Sequence, residues 1–284
     1  MPSIRVIRNR IRGVKNITKI TRAMEMIAAS KMKRAQERGL AGRPYVEKIH
    51  QVIADLAALQ EPQEVHPLLV KRPAQNIAIV HITPDRGLCG GLNANLNRLT
   101  GGFVLEQKVP VSLVTVGRKG RDFMMRHGCK VIAEFTHLGD QPVMFDILPI
   151  SKIIIDGYSS AAFDVVYVVY ARFVNTMLQK PVMEQVLPVQ PAVIPRAQNV
   201  EYIYEPGPQA VLGELLPRFV ETQLYHAILE SIASEQSARM VAMKAATDNG
   251  NELVSQLTLA YNKARQEAIT TEILDIAGGA EALA

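Results

Sequence analysis

The sequence predicts an α/β protein in two parts: a long antiparallel coiled coil built from the two ends of the chain, and an α/β domain carried between them. Three observations predict it. Apolar residues recur every three or four positions at both ends, which is helical spacing. In the middle, β-rich runs alternate with helical stretches, the pattern of a largely parallel sheet. The ends also differ in charge. Residues 1–38 carry 11 Lys/Arg against 2 acids, and residues 209–284 carry 5 against 10.

The N-terminal element comes first. "RNRIRGVKNITKITRAMEMIAASKMKRAQ" is basic and nearly free of acids. Its apolar stripe reads Ile4, Ile7, Ile11, Val14, Ile17 and Ile20, then Met24, Ile27, Ala28 and Met32. The same period returns in "YVEKIHQVIADLAAL", so helix is expected to about Leu59. Gly39, Gly42 and Pro44 argue for a kink or break on the way. Forty helical residues alone make a rod of about 60 Å.

A turn-rich stretch, "QEPQEVHPLLVKRPAQ", leads into the middle of the chain. Strands are expected in "NIAIVHIT", "PVSLVTVG", "KVIAEFTH" and "DVVYVVYARFV", with helices near 92–100, 118–127 and 145–162. "PVMEQVLPV" reads as a further strand, placed at a sheet edge by its prolines. "QPAVIPRAQNVEYIYEPGP" reads as an extended linker.

From about Gln209 helical spacing resumes. No proline follows Pro217, and Gly250 is the only glycine between Pro217 and Gly278. The stripe runs through Leu212, Leu216, Phe219, Leu224, Ile228 and Ile232, and again through Leu253, Leu257, Tyr261, Ala264, Ala268 and Ile273. It thins between Ser234 and Asn251, where Ala, Met, Val and Thr replace larger residues. Some 65 helical residues span close to 100 Å, far more than a small sheet can cover. Such a helix needs a coiled-coil partner, and the oppositely charged N-terminal helix is the economical one. Because the chain leaves and re-enters the middle domain between them, the pair is expected to be antiparallel. The boundaries are residues 1–59, 74–208 and 209–284.

Composition narrows the function. The chain of 284 residues is long enough for a real core. With 48% apolar and 21% charged residues it is globular. No apolar run approaches the roughly 18 residues of a spanning helix. Cys89 and Cys129 form no CxxC, and the six histidines have no ligand spacing, which argues against a metal site. GxxxxGK[ST], GxSxG and HExxH are all absent.

Two stretches keep sharper alternatives open. "TPDRGLCGGLNANLNRL" follows a strand and leads into a helix, where a phosphate loop would lie. However, Gly87, Gly90 and Gly91 do not make GxGxxG, so a structural turn is the better reading. Cys89 as a nucleophile has no histidine near it in sequence. The basic N-terminus is open to four readings: a targeting peptide, a nucleic-acid arm, a membrane-surface helix, or the solvated face of a coiled coil. The function classes left standing are a non-catalytic coiled-coil assembly protein, a nucleotide-binding α/β enzyme with a coiled-coil arm, and a basic nucleic-acid adaptor.

Four stretches then carry a resemblance. "ITKITRAMEMIAASKMKRAQ", "TPDRGLCGGLNANL", "ASEQSARMVAMKAATDNGNEL" and "LAYNKARQEAITTEILDIAGGAEAL" together resemble the gamma subunit of F-type ATP synthases. They cover both ends and the central domain. The resemblance implies a coiled-coil shaft inside a ring of three alpha and three beta subunits. It also implies a Rossmann-like α/β foot on the membrane c-ring beside the epsilon subunit. It implies further that the shaft has no active site and no cofactor, and that by rotating it couples proton flow to ATP synthesis or hydrolysis in the ring.

The resemblance also carries residues. Met24 and Arg239 match positions facing the acidic lever segment of beta, and Lys31, Lys33 and Arg34 add positive charge towards it. Arg265 and Gln266, with Thr270 in the same motif, match polar contacts to a beta loop higher on the shaft. Tyr202 and Tyr204 fall where the family's foot approaches the c-ring and epsilon. Chloroplast members carry an inserted regulatory cysteine pair, and this sequence has no such insertion. With no leader ahead of the first helix, the expectation is a bacterial protein. It would be peripheral on the cytoplasmic side of the inner membrane, touching that membrane only through the c-ring and binding no nucleic acid.

Overall fold

The computed structural model describes residues 3–58, 66–190, 204–205 and 207–281. The expected linker around residues 190–208 therefore lies mostly outside the described residues. By its internal contacts the chain divides into two compact units. One is Ala29–Arg239; the other joins Met1–Ala28 to Met240–Ala284.

The larger unit is built on a five-stranded sheet. Its strands are β1 (Ile77–Ile82), β2 (Val111–Val116), β3 (Lys130–Phe135), β4 (Val165–Phe173) and β5 (Gln179–Leu187). Their order is β3-β2-β1-β4-β5. The first four strands run parallel, and β5 pairs antiparallel to β4 at the edge, where its proline can be tolerated. The parallel crossovers are α2 (Leu92–Glu106), α3 (Arg118–Arg126) and α4 (Met144–Ser159), each within a few residues of its predicted position. This is the largely parallel α/β layer that the alternation predicts and the Rossmann-like domain that the resemblance implies.

Strand side chains alternate faces, and the core divides accordingly. Ala78, Val80 and Ile82 face one core, shared with Ile147, Ile150 and Ile154 of α4. That core also takes Ile49, Ile53 and Leu56 of α1 (Ile4–Ala58) and Leu212, Leu216 and Phe219 of α5 (Pro208–Glu281). Ile77 and Ile79 face the other core, with Leu92 and Leu96 of α2 and Met124 of α3. His81 also points to this second side and is fully buried. Its Nε2 donates to Asn97 Oδ1 at 2.9 Å, and the Thr100 hydroxyl donates to its Nδ1 at 2.9 Å. Burial lowers its pKa to about 4, so the ring is neutral.

α1 runs unbroken through Gly39, Gly42 and Pro44. Helix to about Leu59 was expected, with a kink or break on the way, since Pro44 has no N–H to give the carbonyl one turn back. The buried residues on either side, Ala35 before and Ile49, Ile53 and Leu56 after, fasten both halves to one core. That burial outweighs one missing hydrogen bond. α5 likewise continues through Pro217.

In the smaller unit the N-terminal part of α1 and the C-terminal part of α5 pack side by side. Arg8 donates to the Tyr261 hydroxyl at 3.2 Å, and Thr21 meets Thr247 at 2.7 Å. Partners step down α5 as they step up α1, so the pair is antiparallel. Among the described residues no helix is long and apolar enough to cross a membrane.

Candidate functional site

In a doubly wound sheet, ligands sit in the crevice beyond the carboxyl ends of the strands. Here that crevice is small. Its volume is ≈ 50 Å³, lined by Thr83, Asp85, Gly117 and Leu138 with Ile228 and Glu235 of α5. Small-molecule sites measure about 300–1,000 Å³, so there is room for a water or two and no nucleotide.

The anion site at the start of α3 is also taken. Asp85 accepts from the backbone N–H of Arg118 and of His137, each at 2.9 Å. Thr83 Oγ1 accepts from Gly120 N–H at 2.8 Å. The amino end of α3 is thus capped by the chain itself, with a carboxylate where a phosphate would need to be.

The glycine-rich turn serves the fold. Leu88 and Gly90 adopt left-handed backbone at φ 63° and 58°, which turns the chain into α2. Gly87 presents its carbonyl to Arg239 Nη2 at 3.2 Å. Cys89 is buried and accepts from Asn93 Nδ2 at 3.3 Å. Burial raises its thiol pKa, the opposite of what a nucleophile needs. Among the described residues no group of three His, Cys, Asp or Glu is arranged to hold a metal.

The coiled-coil seam departs from the predicted stripe. Ile7, Ile11 and Val14 face α5 as expected, but the seam then moves to Thr18 and Thr21 before rejoining the predicted stripe at Met24 and Ala28. Ile17, Ile20 and Ile27 point outward, 60%, 60% and 55% exposed. The cause is geometric. A seam between two helices follows a 3.5-residue period, and the run of isoleucines drifts off it. On α5 the seam passes Met243, Thr247, Gly250, Val254, Leu257, Tyr261 and Ala264, leaving Leu253, Ala268 and Ile273 outside. Gly250 permits the close approach. A Cβ there would lie 2.6 Å from Thr18 Oγ1.

The residues carried by the family resemblance are placed as follows. Met24 is half-buried on the smaller unit. Arg265, Gln266 and Thr270 lie exposed within little more than a turn of α5, and the Thr270 hydroxyl donates to the Gln266 carbonyl at 2.9 Å. Lys33 and Arg34 are exposed on the larger unit; Lys33 lies 3.9 Å from Glu37, and Arg34 donates to Ser30 Oγ at 3.0 Å. Lys31 is committed within the chain, its Nζ 2.5 Å from Asp140 Oδ2. Arg239 is buried, paired with Glu235 at 2.7 Å. Burial raises the Glu235 pKa, and the guanidinium pulls it back down. Tyr204 is half-buried against the larger core, and Tyr202 lies outside the described residues.

Sequence periodicity missed Thr18 and Thr21 as seam residues, because hydroxyl side chains score as surface. It also passed over Ser234, Gln236 and Ser237 of α5, all buried.

Comparison with known proteins agrees with this picture. The ATP synthase family model, ATP-synt, matches residues 3–283. The ATP synthase gamma chain of Dehalococcoides mccartyi is 65% identical over 285 residues, covering 100% of both chains. That of Roseiflexus sp. is 51% identical, covering 100% of this chain and 99% of the relative. Among solved structures, the central stalk/c-ring of Tetrahymena thermophila mitochondrial ATP synthase aligns with a TM-score of 0.61 at 25% identity, over 80% of this chain and 99% of that one. The rotor of Euglena gracilis mitochondrial ATP synthase shares the fold at 22% identity and a TM-score of 0.66, over 94% of this chain and 98% of that one. A family match over nearly the full length, and full-length relatives at up to 65% identity, mean that this chain belongs to the ATP synthase gamma chain family.

Proposed function

We infer that the chain is the central rotor shaft of a proton-translocating F-type ATP synthase and has no active site of its own. In this reading segments 1–59 and 209–284 form the shaft and 74–208 the foot. The shaft sits in the ring of alpha and beta subunits, and the foot rests on the c-ring beside epsilon. The complex is peripheral on the cytoplasmic face of a bacterial inner membrane, reached only through the c-ring.

One observation carries the reading. The smaller unit turns large apolar side chains outward on both helices: Ile17, Ile20 and Ile27 on α1, Leu259, Ile273 and Ile276 on α5. A two-helix pair buries one seam only, and the remaining apolar surface needs an enclosing partner. Arg8, Arg12, Lys15 and Lys19 are exposed beside it and favour acidic walls. The outward faces differ around the shaft, so three surrounding beta subunits meet three different surfaces. Rotation then becomes a change in contact energy at each catalytic site.

Met24, Lys31, Lys33, Arg34 and Arg239 are assigned to the acidic lever of beta, and Arg265, Gln266 and Thr270 to a beta loop. Tyr202 and Tyr204 are assigned to the c-ring and epsilon. Lys31 and Arg239 already hold Asp140 and Glu235, so a partner's acid must compete for them. A tagged chain is expected to co-purify with alpha, beta and epsilon. The chain alone is expected to hydrolyse no ATP and to restore coupled activity to complexes lacking it. ATP hydrolysis by the purified chain, or purification free of those subunits, overturns the reading.

A further inference from the structure

The polar run Ser234–Arg239 on α5 is buried, although its composition reads as surface. Four of its side chains are bonded to different pieces of the α/β layer, while Glu235 pairs with Arg239 within the helix. The Ser234 hydroxyl donates to the Ala171 carbonyl at the end of β4, at 2.8 Å. Gln236 Nε2 donates to Asp140 Oδ1 in the β3–α4 loop, at 3.3 Å. The Ser237 hydroxyl donates to the Thr176 carbonyl in the β4–β5 turn, at 2.9 Å, and accepts from Gln179 Nε2 at 3.3 Å. Arg239 reaches Gly87 in the loop after β1. Asp140 is shared: its other oxygen takes Lys31 of α1.

A helix advances about 100° per residue. Relative to Ser234, residues 236, 237 and 239 therefore point at about 200°, 300° and 140°. The helix is held from all around its circumference. Interdigitated apolar packing resists separation and some turning, and directional bonds to fixed carbonyls add a sharper resistance to both turning and sliding. A hydrogen bond to a fixed carbonyl fails when its donor moves by about 1 Å or swings well off line.

We propose that residues 234–239 form a keyed joint that locks α5 in rotation to the α/β layer, so that torque passes between them through directional bonds. Asp140 extends the joint to α1. The joint is a property of the chain itself, and its use for torque rests on the rotor reading above.

The test uses the assembled complex carrying Ser234→Ala, Gln236→Ala and Ser237→Ala together. Hydrogen exchange reads the joint in peptides covering 136–143 and 171–179. A bead on the foot, with the alpha/beta ring fixed and the rotor halted, reads torsional stiffness from its angular variance. The expected result is at least threefold faster exchange in both peptides and at least doubled angular variance, with unloaded ATP hydrolysis within twofold of wild type. Unchanged exchange means the bonds do not hold the loops and overturns the proposal. Faster exchange with unchanged variance also overturns it, by showing that the joint bears no torque. A wild-type bead that never rotates with ATP sinks the rotor reading alone, and leaves the exchange result to judge the joint. Should the triple variant fail to assemble, Ser234→Ala and Ser237→Ala singly, in the same two assays, are expected to give intermediate changes in the same directions, and wild-type values in both overturn the proposal.

Discussion

Replacing Gly250 with alanine is expected to fail as a stabilising change, although alanine is the better helix former. In an exposed helix the exchange gains about 1 kcal/mol. Here the new Cβ would sit 2.6 Å from Thr18 Oγ1 across the seam. That oxygen is not free to retreat, since Thr18 donates to the Val14 carbonyl at 2.9 Å and its branched side chain is stiff at χ1. Rotating it away gives up a hydrogen bond worth about 1 kcal/mol. Moving the helices apart instead stretches the neighbouring Thr21–Thr247 bond, 2.7 Å long and buried. Gly250→Ala is therefore expected to leave stability unchanged or lower it by about 1 kcal/mol. In a Thr18→Ala background the same change meets no hydroxyl and is expected to stabilise by about 1 kcal/mol. The coupling between the two sites is then about 1–2 kcal/mol, measurable by guanidinium unfolding of the four members of the cycle. If Gly250→Ala stabilises equally with and without Thr18, the close approach is not what selects glycine at this position.

Three further outcomes are expected. His81 is held neutral with a pKa of about 4, below its unfolded value of 6.5. The unfolded chain binds a proton first, so stability is full above pH 6.5 and falls towards pH 4 by up to about 1.4 kcal/mol per pH unit. Denaturant midpoints of His81→Gln across that range should show a shallower slope. Gly117 has φ 98°, and a Cβ there would lie 1.8 Å from the Thr83 carbonyl oxygen. Gly117→Ala should cost about 4 kcal/mol or more, seen as insoluble or unfolded protein by circular dichroism. Arg265→Ala with Gln266→Ala should change stability by less than about 0.5 kcal/mol, because both are exposed. It should still lower ATP hydrolysis by the assembled complex, and unchanged turnover would remove those contacts.

Much of the fold could be read from the residues. The runs around Ile79, Leu113 and Val168 are strands because they are β-rich, of strand length and bounded by turn residues. Pro181 marked β5 as an edge. The two terminal helices were legible from spacing, and their pairing from length and charge. Two things were not legible. Past Val14 the eye follows isoleucines to Ile17 and Ile20, while the seam goes to Thr18 and Thr21. Only the partner's Gly250 and Thr247 explain that choice, and they lie more than 220 residues away in sequence. The buried run Ser234–Arg239 was hidden for the same reason. A serine under a carbonyl and a serine in water look alike until the loop that covers it is known. The surface contacts came from resemblance alone, since exposed polar residues such as Gln266 carry no periodic signal.

The seam has a consequence for how the protein is made. Thr21 and Thr247 touch across 226 positions of chain. At about 5–20 residues per second, the ribosome needs roughly 10 to 45 s to produce the second after the first. For most of that interval the amino-terminal part of α1 is outside the tunnel with Ile7, Ile11 and Val14 uncovered, before α5 is made to complete the seam. The sheet, whose strands end at Leu187, is available to fold well before α5 is finished. The shaft is thus the last part of the molecule to close, and the nascent α1 is the segment most in need of a holding chaperone. Slowing translation between the sheet and α5 lengthens that exposure directly, and loss of yield from such a pause would be expected without any change in the sequence of the finished protein.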